Sequence, residues 1–185
     1  MLTRFRLELA LLGESEDVAA LNEDVDKMQA MLEDYLSFAR TDVDEAADDI
    51  AIAALVRDAA RGMDNVTIDV ADELTGHVRP MAVRRLLTNL IQNAATYATR
   101  IAVTAVDDGP RLRIMVDDNG PGIPSEEREA VFRPFYRLDQ ARNQDDAGTG
   151  LGLSIARDIA RRHGGDVVLG ASPMGGLRAR ITLPR

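Results

Sequence analysis

Near residue 41 the apolar residues of this 185-residue chain change their period, so no single packing scheme accommodates all of it. Upstream, Val18, Leu21, Val25, Met28, Leu32, Tyr35 and Ala39 alternate steps of three and four, the seam of a helix that packs on other helices. Leu2, Phe5, Leu9 and Leu12 repeat the spacing, and Gly13 with Ser15 supplies a break and a start signal. Residues 1–12 and 17–40 are therefore predicted to form a helical hairpin of unequal arms. Two helices bury little and the long arm has seam to spare, so a homodimer that completes a bundle is expected. A hairpin folded back on its own globular unit is the competing arrangement.

Residues 41–49, acidic and without a periodic apolar face, read as a linker between a first domain at 1–40 and a second at 50–185. In the second, Ile52, Leu55, Val56 and Ala59 suggest a helix, followed by strands at 66–70 and 77–79. Pro80 opens a helix to about residue 98, with Val83, Leu86, Leu87, Leu90, Ile91 and Ala94 on its apolar face. Strands at 101–106 and 111–116 flank Asp107-Asp108-Gly109-Pro110, a hairpin signature. Pro124 is expected to start a short helix to Phe132, a loop to run to Gly148, and residues 149–163 to be helical. Two final strands, 166–170 and 177–183, flank Met174-Gly175-Gly176. Strand pairs beside helices make this an α+β domain, a two-layer α/β sandwich with a mixed sheet.

Composition narrows the chemistry. Zero Cys excludes disulfides and thiolate metal sites and suits a reducing compartment, and two His hardly assemble a zinc site. A net charge of −9 argues against nucleic acid or anionic lipid as partner, since both need clustered Lys and Arg. Most of that charge is local: from Glu14 to Asp49 there are 13 acids against Lys27 and Arg40, which leaves the second domain able to hold an anion. No stretch has the apolar length of a membrane span, so these residues are expected not to cross one.

Three segments of the second domain are locally odd. Asp117-Asp118-Asn119-Gly120-Pro121-Gly122-Ile123 leaves a strand with two glycines, which permit close backbone approach; alone it reads equally as a polar turn. Gly148-Thr149-Gly150-Leu151-Gly152-Leu153 opens a helix, where bare amides and the positive dipole end favour a phosphate. It matches neither the P-loop nor the dinucleotide fingerprint, and alone it reads equally as a flexible helix cap. Asn89 and Asn93 share one face of the 80–98 helix with Tyr97, and a carboxamide oxygen can ligate Mg²⁺ without adding negative charge beside phosphates.

In order and spacing, residues 89–93, 118–122, 132–135 and 148–152 resemble the N, G1, F and G2 boxes of sensor histidine kinases. Asp34-Tyr35-Leu36-Ser37-Phe38-Ala39-Arg40 is similar to the end of the second helix of that family's dimerisation and phosphotransfer domain. Within the family the resemblance points to the osmosensor type of proteobacteria.

The resemblance implies a Bergerat (GHKL) ATPase fold preceded by a truncated helical hairpin. It also implies ATP and Mg²⁺ as cofactors, and transfer of the γ-phosphoryl group to a His and thence to an Asp of a response-regulator receiver domain. By the same resemblance Asp118 accepts the adenine amino group, Gly120 and Gly122 let the backbone approach the base, and Ile123 and Tyr97 lie against it. Asn93 ligates Mg²⁺, with Asn89, beside the phosphates, a second candidate ligand. Gly148, Thr149, Gly150, Leu151, Gly152 and Leu153 meet the phosphates, Arg137 contacts them as a cation next to Tyr136, and residues 133–147 form a lid anchored by Phe132 and Phe135. The setting implied is the cytoplasmic domain of an inner-membrane sensor. A non-catalytic, ATP-binding regulatory module of the same superfamily is the alternative.

Two departures bear on activity. The acceptor His of the family precedes the segment that residues 2–7 resemble; His77 and His163 are expected to be structural, so no residue of this chain is assigned as catalytic. Autophosphorylation by this polypeptide alone is therefore not expected. Thr96 stands where the family often has Lys or Arg reaching the phosphates. Thr96→Lys is expected to tighten Mg·ATP binding, measured by calorimetry.

Overall fold

A computed structural model describes residues 15, 18, 19, 21, 22, 25, 28, 45–138 and 149–185. The chain divides into two compact units, Met1–Thr41 and Asp42–Arg185. In the first, residues 18, 19, 21, 22, 25 and 28 are helical. Ser15 starts that helix: its hydroxyl accepts the Val18 amide at 3.2 Å and its carbonyl the Ala19 amide at 2.9 Å, a side-chain N-cap. Val25 is buried, whereas its seam neighbours Leu21 and Met28 are exposed. The first arm of the expected hairpin and residues 29–40 lie outside the described residues.

The second unit contains β1 (Asp48–Ala51), α1 (Ile52–Ala59), β2 (Val66–Asp69), β3 (Thr75–Val78), α2 (Pro80–Tyr97), β4 (Ile101–Asp107) and β5 (Arg111–Asp118). A 3-10 turn (Ala130–Phe132), α3 (Gly152–Arg162), β6 (Asp166–Ala171) and β7 (Leu177–Pro184) follow. Five strands form a mixed sheet in the order β2-β4-β5-β7-β6, parallel only between β2 and β4. The period-two pattern fixes its faces. Val103, Ile114, Ile181 and Val167 are fully buried on the helix side, and their neighbours Thr104, Met115, Arg180 and Val168 turn outward. Val83, Leu86, Leu87, Leu90 and Ile91 of α2, with Ile155, Ala156 and Ile159 of α3, complete the core. Among the described residues no helix is long and apolar enough to cross a membrane.

Three elements differ from the sequence reading. Strand β1 begins inside the expected linker and pairs antiparallel with β3, because a ladder needs backbone groups rather than an apolar face. Glu45 of the same segment caps α2, its two carboxylate oxygens accepting the Met81 and Ala82 amides at 2.7 and 3.1 Å. Residues 124–132 form turns and one 3-10 turn instead of a helix; among residues 124–132 only Val131 is buried, too little packing to sustain one. Helix α3 starts at Gly152 rather than at 149, since Gly150 holds φ +74°, outside helical space.

Both histidines have structural contacts. His163 Nδ1 lies 2.8 Å from the Ile159 carbonyl, while its Nε2 accepts the Arg79 amide at 3.3 Å, so the ring joins the end of α3 to the start of α2. His77 Nδ1 is 3.0 Å from Asp49 Oδ1 across the β1–β3 pair.

The α3–β6 corner is fixed by Arg157, which reaches Asp166 at 2.9 Å and Glu129 at 2.6 Å and stacks its guanidinium 4.2 Å over the Phe132 ring. Burial by itself would push the Asp166 carboxyl up, but hydrogen bonds from Arg157, the Val167 amide and Arg161 outweigh it and hold the group below its ordinary 3.8. A folded value below the unfolded one means that the stabilisation is present above 3.8 and is lost as pH falls through the folded value. Asp166→Asn is expected to unfold at lower urea than wild type at neutral pH, with the gap closing as the pH is lowered below 3.8.

Candidate functional site

Alternation along β5 fails at its last two residues, where Asp117 and Asp118 are both buried. Burying adjacent carboxylates is costly unless each is satisfied. Asp117 faces Arg178 directly across the β5–β7 ladder and takes two hydrogen bonds from its guanidinium, both 2.8 Å. The Asp117 hydrogen bonds hold the Arg178 guanidinium above its ordinary value, against the opposing effect of burial. Asp118 is satisfied by backbone instead. Its Oδ1 accepts the Gly120 amide at 2.8 Å and the Leu177 amide at 3.0 Å, while its carbonyl accepts the Gly176 amide at 3.1 Å. Among the described residues Oδ2 receives no hydrogen bond.

The loop that follows is held from three sides. Asn119 Oδ1 accepts the Thr99 and Arg100 amides at 3.1 and 2.8 Å, and its Nδ2 donates to Thr99 Oγ1 at 3.0 Å, which ties the loop to the exit of α2. A Cβ on Gly120 would stand 2.8 Å from the Tyr97 carbonyl, so only glycine lets that exit come so close. Half-buried Ile123 gives its carbonyl to Arg128 Nε at 3.0 Å, and Gly122 holds φ +72° beside Gly176.

Asn89 meets the start of α3: a Cβ on Gly152 would lie 3.7 Å from Asn89 Oδ1. Asn89 Nδ2 is buried without a partner among the described residues, a donor waiting for an acceptor. Asn93 is half-buried one turn further along α2, and Tyr97 is exposed at its end. Of the glycine-rich segment, Leu151 is buried, Thr149, Gly152 and Leu153 are half-buried, and Gly150 packs on the Phe135 backbone, accepting the Phe135 amide at 3.1 Å. Gly148 lies outside the described residues, as does most of the expected lid.

At the near end of that lid Phe132 is half-buried, but Phe135 is exposed and has φ +63°; its tie to the fold is the backbone bond to Gly150 rather than burial of its ring. Tyr136 donates its hydroxyl to Glu127 at 2.7 Å, and Arg137 is half-buried beside it.

The end of β5 thus offers an oriented carboxylate acceptor, α2 a face with two carboxamides, and α3 a glycine-lined start. Among the described residues no cluster of three His, Asp or Glu could hold a metal unaided. The donors fit Mg²⁺ of the kind held by one or two protein oxygens plus phosphate oxygens, and the orphaned Asn89 amide fits a nearby phosphate oxygen.

Residues 78–185 match the family described as histidine kinase-, DNA gyrase B-, and HSP90-like ATPase. The chain belongs to that family. The sensor histidine kinase CpxA of Escherichia coli K12 is 35% identical over 200 residues, spanning 99% of this chain and 44% of CpxA. Full-length ShkA in complex with AMPPNP superposes with a TM-score of 0.73 at 27% identity, over 90% of this chain and 38% of ShkA. The histidine kinase domain of the E. coli osmosensor EnvZ, at 33% identity and TM-score 0.57, is matched over 78% of this chain and 91% of that domain. The chain is similar to the ATP-binding catalytic part of sensor histidine kinases, has the GHKL fold, and spans less than half the length of the curated relatives it matches.

Sequence reasoning passed over Asn119, Arg128, Glu45 and Gly176, all of which act on backbone groups. Gly176 had one weak signal, since a tight hairpin rarely needs two consecutive glycines. Asn119→Ala removes the acceptor of two amides and is expected to lower unfolding stability by about 1–3 kcal/mol in urea titrations.

Proposed function

We propose that this region binds Mg·ATP and donates its γ-phosphoryl group to a histidine nitrogen, from which the group passes to an aspartate of a response-regulator receiver domain. The observation that supports the reading is a chain of contacts through α2: Gly120, two residues past Asp118, lies against the Tyr97 carbonyl at the end of that helix, and Asn89 of the same helix lies against Gly152 at the start of α3. In this reading Asp118 accepts the adenine amino group through Oδ2, Ile123 and Tyr97 flank the base, and Gly120 and Gly122 keep the wall close. Asn93 would ligate Mg²⁺, with Asn89 beside the phosphates. Amides at 148–153 and the Arg137 and Tyr136 side chains would receive the phosphate chain. Mg²⁺, when bound, supplies charge neutralisation on the phosphate oxygens.

Phosphoryl transfer of this kind asks a protein mainly to position groups and spread charge, which suits amides at a helix start and a guanidinium better than it would a catalytic base. The accepting imidazole nitrogen must be unprotonated, as a neutral His is near pH 7. Neither histidine of this chain is suited to that role: His163 joins two helices and His77 pairs with Asp49. By itself the polypeptide is then a donor half without its acceptor. The exposed seam residues Leu21 and Met28 support a homodimer built through the first unit, residues 1–40, with 41–49 leading into the catalytic unit. The region would work in the cytoplasm as part of an inner-membrane sensor, with no nucleic-acid partner.

Mg·ATP binding in the millimolar range or tighter is expected by calorimetry, and Asp118→Asn and Asn93→Ala are each expected to abolish it; unchanged binding in both would refute the assignment. Incubated with labelled Mg·ATP and a full-length partner whose own ATP site is dead, the chain should place acid-labile phosphate on that partner and none on itself.

A further inference from the structure

We propose that the Gly176–Leu177 backbone, at the corner between β6 and β7, is the positioning element that makes the Asp118 pocket select a 6-amino purine over a 6-oxo purine; this rests on the nucleotide reading above. A carboxylate is an acceptor only, yet that alone does not choose between the two bases. Adenine presents an exocyclic amino donor at position 6. Guanine and hypoxanthine present an oxygen there but carry an N–H on the adjacent ring nitrogen, and a carboxylate free to swing could accept that proton instead. Selectivity therefore requires that the carboxylate be unable to turn.

The corner supplies that restraint. Leu177 N–H, at the start of β7, and Gly120 N–H, in the loop after β5, bond the same oxygen, Oδ1, and Gly176 N–H holds the Asp118 carbonyl. With Oδ1 committed to two amides and the side chain buried, the carboxylate is held in one orientation, and among the described residues Oδ2 receives no hydrogen bond. The corner can come this close only because residue 176 lacks a side chain. An added Cβ would overlap Asp118 Oδ1 outright and stand 2.5 Å from the Gly120 nitrogen. Gly176 is itself held by its carbonyl, which accepts the Ser172 amide at 2.9 Å, and it lies against Gly122. A methyl group at 176 must push the carboxylate off its two amide donors and free it to turn.

The test compares the whole chain carrying Gly176→Ala with wild type and with Gly170→Ala, whose added Cβ meets nothing within 4 Å. Competition against a fluorescent ATP analogue in Mg²⁺ gives the affinities for ATP and GTP. Gly176→Ala is expected to weaken ATP at least about tenfold and GTP by less than about threefold, so that the ATP:GTP ratio shrinks, while Gly170→Ala leaves both unchanged. Equal loss for both nucleotides, the mark of a merely structural role, overturns the proposal, and so does no loss. A second measurement needs no variant: adenosine, but not inosine, is expected to shift the Gly120 and Leu177 amide resonances of the wild-type chain. Equal shifts overturn the proposal, even where Gly176→Ala does not fold. Wild type that binds neither ATP nor adenosine sinks the nucleotide reading itself; wild type that binds ATP and GTP alike sinks only the selectivity.

Discussion

Two neighbouring carboxylates are buried at the end of β5, and the architecture around them follows from the need to satisfy both. Asp117 draws Arg178 from the adjacent strand, which locks β5 to β7 at that level of the sheet. Asp118, without an ion-pair partner among the described residues, takes its donors from the backbone, and this brings the loop after β5 and the corner before β7 to within hydrogen-bonding distance of one oxygen. Such proximity leaves no room for a side chain at 176, while at 120 the Tyr97 carbonyl is the nearest obstacle. The glycine at 176 is thus a consequence of where a negative charge has been placed.

The periodic features were readable in advance. The apolar face of α2 and the alternating strands β4, β5, β6 and β7 are patterns of burial, and burial is what hydrophobic spacing records. Asn89 and Asn93 stood out because two amides in line on a helix otherwise facing Leu86 and Leu90 serve little structural purpose. What escaped was governed by backbone groups. Strand β1 has the composition of a linker, and its pairing with β3 depends on main-chain amides that every residue carries. Glu45 and Asn119 serve as caps across 36 and 20 residues, and no local pattern announces a partner so distant in sequence. The segment after Pro124 carried a helix-start signal but had only Val131 to bury, so propensity without packing produced a single tight turn.

The same division explains why four short motifs were informative together and ambiguous apart. Each is a stretch of turn-forming residues or a helix start, and each alone fits a surface loop. Their meaning comes from α2, whose exit meets the loop after β5 and whose Asn89 meets the start of α3. Asn119 joins the first two, Asn89 and Gly152 join the helices, and the Phe135–Gly150 bond brings in the segment that precedes the lid.

Glu45 gives the acidic connector a mechanical property. Its carboxylate straddles the first turn of α2 through two charge-assisted hydrogen bonds, three residues before the chain enters β1. A displacement of the backbone at Glu45 is therefore passed to the first turn of the helix that carries Asn89 and Asn93, as a handle moves its lever.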